Sequence, residues 1–168
     1  MVEVPEVGAF LLGAPKCGTT WLAEVLTQHP EICVSNPKEP NIVASHKGTF
    51  GRDESGPDWA AYSDCFNGEG LRIDCSVHAM ACPVAPSRVA NNWPNARLII
   101  CLREPVSRTI SHWNMILDTE EDRENGADWS DFQSAWEDSR LSDDTLYGAA
   151  ITRWLEHFER DSILLIEA

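Results

Sequence analysis

The chain has 168 residues, 43% of them hydrophobic and 24% charged, which is enough for one domain with a buried core. Its formal net charge of −14, with an isoelectric point near 4.6, argues against a nucleic-acid partner, because a phosphate backbone demands a basic face. No repeat stands out, and no apolar run reaches membrane-spanning length or follows a basic leader, so a soluble cytoplasmic protein is expected.

In chain order, "VGAFLLG" (7–13) is a short apolar run ending in glycine, as a buried parallel strand requires. A helix is expected over 19–28, with Trp21, Leu22, Val25 and Leu26 on one face and His29-Pro30 as its stop. "EICVS" (31–35) reads as a short strand. Residues 44–70, rich in Gly, Ser, Asp and Asn, read as a long loop with one short helix near 59–65. "GLRIDCS" (70–76) and "ARLIICL" (96–102) are further strands. Pro105 suits the first turn of a helix whose Val106, Ile110, Trp113 and Leu117 recur at spacings of four, three and four. Ser130 and Gln133 predict a capping box for a helix through Trp136. A later helix carries Leu146, Tyr147, Ala150, Ile151, Trp154, Leu155 and Phe158, and "SILLIE" (162–167) is a final strand. Strands alternating with helices predict an α/β fold, three α/β/α layers around a parallel sheet, with ligands outside the strand carboxyl ends. The acidic runs at 118–124 and 137–144 read as solvated surface.

The six cysteines (Cys17, Cys33, Cys65, Cys75, Cys82 and Cys101) form no C-x-x-C pair and no zinc-like spacing with histidine, so no metal is expected. Cys33 and Cys101 read as small core residues.

The informative stretch is "GAPKCGTTWL" (13–22), between the first strand and the first helix. Gly13 and Gly18 keep the G-x-x-x-x-G spacing of a phosphate-binding loop, but Thr19 stands where a nucleoside triphosphatase needs lysine. The lysine is Lys16, inside the loop. Such a turn aims backbone N–H groups at one anion, and the helix N-terminus adds partial positive charge. The N–H groups of Cys17, Gly18, Thr19, Thr20 and Trp21 are therefore candidates for the cradle. The hydroxyls of Thr19 and Thr20 are supporting donors, with Lys16 over the anion.

"GAPKCGTTWL" resembles the 5′-phosphosulfate loop of the sulfotransferases that use 3′-phosphoadenosine 5′-phosphosulfate (PAPS). "LIICLREPVSRTISHW" (98–113) is similar to that family's second segment, a strand ending in arginine followed by proline and a helix carrying arginine and serine. "PKEPNIV" (37–43) and "YGAAITRWLEHFERDSILLIE" resemble segments of the heparan-sulfate-like and bacterial branch. The resemblance implies a P-loop nucleoside triphosphate hydrolase-like fold and in-line transfer of a sulfuryl group to a hydroxyl or amine, with no metal. The acceptor is then an alcohol or amine, on a glycan or a small molecule; the acidity of the chain favours a small or neutral one. Lys16 would stabilise charge on the leaving oxygen. Arg103 and Ser111 would hold the 3′-phosphate, Arg103 through a forked contact. Read from the residues alone, Ser111 is an ordinary polar position, and Arg108 is either a second contact or a surface residue.

The resemblance assigns the general base to Glu39, the glutamate of K-E-P, with Lys38 beside it. His78 is the rival base, since histidine is better tuned near neutral pH. His29, His46, His112 and His157 read as structural or surface. The branch's E-K-S/T-P lysine is replaced by Cys75, leaving Lys47 as the substitute. Ala168 falls where the family continues, so the chain reads as one sulfotransferase domain lacking its C-terminal part, with weak nucleotide binding expected. The competing readings are a P-loop kinase-like enzyme and a truncated, non-catalytic remnant acting as a binding module.

Overall fold

The computed structural model describes residues 3–44, 46–47, 51–52, 56–119 and 128–168. Strand β1 (Ala9–Gly13) leads through a loop into α1 (Thr19–Leu26) and β2 (Ile32–Val34). A two-residue ladder then joins β3 (His46–Lys47) to β4 (Gly51–Arg52), and α2 (Trp59–Ser63) and β5 (Leu71–Asp74) follow. A 3-10 turn at Val77–Ala79 precedes α3 (Ala85–Asn92), β6 (Arg97–Leu102) and α4 (Pro105–Asp118). The chain continues through α5 (Phe132–Glu137), α6 (Ser139–Ser142), α7 (Tyr147–Leu155) and β7 (Ile163–Glu167).

Five strands form the central sheet in the order β2-β5-β1-β6-β7, every pairing parallel. β1 is buried along its whole length, as a strand covered on both faces must be. The chain moves one way from β1 to β2 and the other way from β5 across β1 to β6. Right-handed crossovers therefore put α1 on one face and α2 and α3 on the other. On that second face Trp93 packs against Phe10, Trp59 and Tyr62 with ring centroids 5.2, 5.7 and 5.9 Å apart. The three-layer α/β/α arrangement is the one expected.

Local readings differ in instructive ways. In α1 the buried side chains are Thr19 and Ala23, while Trp21 and Val25 are exposed. In α4 the apolar stripe does not face inward as expected: Val106 and Ile110 are exposed, and Arg108, Thr109, His112 and Ile116 are buried. The cap of α5 is Asp131, whose carboxylate accepts from Ser134 N, not Ser130. Helix α3 has no counterpart among the expected elements. The run at 118–124 lies mostly outside the described residues. From the second acidic run Asp144 is buried, not solvated, with Oδ2 3.8 Å from the buried guanidinium of Arg108 and 3.7 Å from the His112 imidazole. All six cysteines are free and buried.

Candidate functional site

The carboxyl ends of all five strands open on one edge, and four of them carry the expected site residues. After β1 the loop turns sharply: Lys16 and Gly18 both have left-handed backbones, with φ of 67° and 76°. A lysine takes that conformation only when its neighbours dictate it. Here Ala14 N donates to Cys101 O at 2.8 Å, Cys17 N donates to Ala14 O at 3.3 Å, and the Cys17 side chain is buried. Burial also raises the Cys17 thiol, so it is an anchor for the loop and not a reactive thiolate.

Gly18 caps α1 without a side-chain partner. The first intrahelical bond is Leu22 N to Gly18 O, so the N–H groups of Gly18, Thr19, Thr20 and Trp21 precede the helical ladder and point past its start. The Cys17 N–H donates to Ala14 O inside the loop. Gly18 and Thr20 are exposed, Thr19 is buried, and the Trp21 ring is 67% exposed.

Arg103 follows β6, the strand beside β1, and is exposed. Glu104 caps α4 through bonds from Val106 N (2.9 Å) and Ser107 N (2.7 Å), which hold its carboxyl below the usual range. The start of α4 is thus closed by its own carboxylate. The Arg103 guanidinium is the cationic group left there for an anion. Ser111 is half-buried on the same helix. Tyr147 ties the loop after β1 to the end of β6: its hydroxyl donates to Arg103 O at 3.0 Å and lies 3.6 Å from Cys17 Sγ.

Neither alternative for Arg108 holds. Its side chain is fully buried, with Nη2 donating to Leu141 O at 3.0 Å and Nη1 3.2 Å from His112 Nδ1. A guanidinium only donates, so Nδ1 is the acceptor and the His112 proton sits on Nε2. Burial, with the charges of Arg108, His78 and Lys16 added, pushes His112 down to about 3.

On the other side of β1, the K-E-P segment is strapped to the ends of β2 and β5. Ser35 Oγ donates to Lys38 O at 3.0 Å and accepts from Cys75 N at 3.2 Å, and Asn41 N donates to Ser76 Oγ at 3.0 Å. Ser76 N in turn donates to Asp74 Oδ1 (2.7 Å), whose other oxygen accepts from Tyr62 Oη at 2.6 Å. Asp74 is the acidic residue at a strand end that the sequence did not single out. Both its oxygens are engaged and it is buried, so it offers no face to a magnesium ion.

The two rival bases are brought together. Glu39 Oε2 lies 3.9 Å from His78 Nε2, while Oε1 receives Lys38 Nζ at 2.6 Å. His78 sits on the 3-10 turn packed against the phosphate-type loop: a Cβ built on Gly13 would stand 2.7 Å from Val77 O. Burial pushes the imidazole down, against the attraction of Glu39. Cys75, where the branch has lysine, is buried and pushed up to about 12. The side chains of Lys47 and His46 lie outside the described residues. His29 and His157 are exposed and His112 is buried, as their structural or surface reading expects. Among the described residues no cluster suits a metal ion, and no helix is long and apolar enough to cross a membrane.

No family model and no curated protein matches the chain. Its fold is similar to that of a solved sulfotransferase from Alicyclobacillus acidocaldarius, with a TM-score of 0.74 and 24% identity over 98% of this chain and 74% of the other. The three-layer architecture is therefore one that this chain shares with that protein.

Proposed function

We propose that this chain transfers a sulfuryl group from PAPS to a hydroxyl or amine acceptor, as the heparan-sulfate-like and bacterial sulfotransferases do. The observation that carries this reading is the placement of the 14–18 loop and Arg103 at the ends of adjacent parallel strands, joined through Tyr147. One nucleotide with a phosphate at each end suits two anion-binding groups so placed.

In this reading the N–H groups of Gly18, Thr19, Thr20 and Trp21 hold the 5′-phosphate, with the Cys17 main chain completing the turn. Lys16 lies over the bridging oxygen. Arg103 and Ser111 take the 3′-phosphate. The acceptor oxygen or nitrogen attacks sulfur in line, and the bond from sulfur to the 5′-phosphate oxygen breaks. Its electron pair leaves with adenosine 3′,5′-bisphosphate, where Lys16 offsets the new charge. The acceptor proton passes to Glu39. The exposed side of Glu39, between Lys38 and His78, is where the acceptor enters. A compartment that keeps thiols reduced suits six free, buried cysteines.

Sulfate transfer from PAPS over a panel of alcohols and amines tests this reading. Transfer is expected from the unaltered chain and a loss of at least ~100-fold with Lys16→Ala, the size of removing one oxyanion-stabilising group. Equal rates in the two proteins would overturn it. Stabilisation by ATP and magnesium, but not by the bisphosphate, would instead favour a kinase-like enzyme.

A further inference from the structure

Glu39 and His78 come from different strand ends, and each could take a proton, yet they face each other across 3.9 Å. We propose that they form one unit in which Glu39 is the base and His78 is a positioning residue holding the Oε2 edge of its carboxylate. The pairing stands on geometry; only its catalytic role rests on the sulfuryl-transfer reading.

The arrangement assigns one partner to each carboxylate oxygen. Lys38 Nζ holds Oε1 at 2.6 Å, and the imidazole Nε2 stands off Oε2. An approach of about 1 Å brings that pair to hydrogen-bond distance. The side chain of His78 is 11% exposed and that of Glu39 33%, so the carboxylate is the more accessible member of the pair. A base needs that exposure to reach an acceptor; a positioning group does not.

The imidazole is held from behind. Its 3-10 turn is fixed by Met80 N donating to Leu12 O at 2.9 Å and by the close approach of Val77 O to Gly13. The strap carrying Glu39 is fixed at both ends through Ser35 and Ser76. Two residues 39 positions apart in sequence are thus set by independent anchors to meet.

Burial favours the neutral imidazole, which still carries one N–H to donate to a carboxylate. Among the described residues, the charged and titratable groups that act on the pair include Lys38, Asp74, Cys75 and His112. In the transfer step the acceptor proton passes to the Glu39 carboxylate as the sulfur–acceptor bond forms. His78 keeps its own proton and keeps the carboxylate turned toward the acceptor.

Imidazole C–H resonances of the full chain, followed against pH by NMR, test the pairing without any substrate. With Glu39→Gln the His78 midpoint is expected to fall by about one pH unit, the effect of removing a close opposite charge. With Lys38→Gln it is expected to rise. Midpoints that stay put in both variants overturn the pairing. Transfer rates then test the role. His78→Asn is expected to lose roughly 10- to 100-fold in kcat, and to cost nothing further when added to Glu39→Gln, as members of one unit behave. Additive losses overturn the proposal, as does a Glu39→Gln protein that stays active while His78→Asn is dead. A chain with no transfer to any acceptor counts against the sulfotransferase reading, and the NMR titration still decides the pair.

Discussion

The Tyr147 hydroxyl donates to the main-chain carbonyl of Arg103 at 3.0 Å and lies 3.6 Å from Cys17 Sγ, so a single phenol spans the two segments assigned to the ends of the nucleotide. It joins the first turn of α7 to the loop after β1 and to the end of β6. Tyr147→Phe keeps the ring and removes the bond. A net hydrogen bond is worth about 0.5–1.5 kcal/mol of stability, so unfolding free energy is expected to fall by about that much, and affinity for adenosine 3′,5′-bisphosphate to fall as the two segments loosen. Calorimetric titration checks this, and an unchanged Kd contradicts the bridging role.

Gly13 is expected to resist replacement. Its φ is 143°, and an added Cβ would meet Val77 O at 2.7 Å and Met80 Cβ at 3.0 Å. Both the backbone conformation and the contact work against Ala, so Gly13→Ala is expected to lose at least about 2 kcal/mol of stability. Denaturant unfolding measures it; a loss under about 0.5 kcal/mol would mean the 3-10 turn carrying His78 does not pack on the loop as described.

The buried Tyr62–Asp74 pair is expected to affect transfer more than nucleotide binding. Tyr62→Phe removes the donor to Asp74 Oδ2, leaving a buried oxygen without that partner, at a cost of about 1–3 kcal/mol. Because Asp74 holds Ser76, and Ser76 holds Asn41 beside the Glu39 strap, kcat is expected to fall while bisphosphate affinity stays within about twofold. Steady-state rates and titration on the same protein separate the two effects.

Acid is expected to destabilise the fold through His112. Its imidazole is held down at about 3, against an ordinary value of 6.5, so below pH 6.5 the unfolded chain binds a proton the folded chain refuses. Stability therefore falls as the pH drops from 6.5 toward 3, by on the order of a few kcal/mol in all. Asp74, raised by burial, acts in the opposite sense above the ordinary carboxylate range, where its folded form takes a proton first. Thermal unfolding from pH 7 to 4 is expected to show a steady fall that His112→Gln flattens.

Much of the sheet was legible in the sequence because its strands are short apolar runs closed by glycine or a polar turn, as at 7–13 and 96–102. The packing of α4 was not. Its 3.6-residue periodicity selects Val106, Ile110, Trp113 and Leu117, but the fold buries Arg108 and His112 instead, because Leu141 and Asp144 supply partners more than thirty residues away. Periodicity records which side chains are apolar and carries no information on which buried charge finds a partner. Helix α3 escaped notice because only Ala85, Pro86 and Val89 of its eight residues are buried, too thin a stripe to stand out.

The candidate site divides in the same way. Loop spacing points to the sharp turn after β1 directly, since five-residue geometry is local. The meeting of Glu39 with His78 depends on β2 and β5 pairing in parallel register, a tertiary fact with no local signal. Two residues that compete as bases in the sequence become neighbours in the fold.

The proposed assignment puts the two phosphates of one nucleotide on the 14–18 loop and Arg103. Its most direct test compares adenosine 3′,5′-bisphosphate with adenosine 5′-phosphate by calorimetric titration, in the unaltered chain and in Arg103→Ala. The bisphosphate is expected to bind at least about tenfold tighter, a preference of roughly 1.4 kcal/mol, and Arg103→Ala is expected to abolish that preference while sparing the monophosphate. Equal affinity for the two nucleotides in the unaltered chain, or a preference that survives the loss of Arg103, would contradict it.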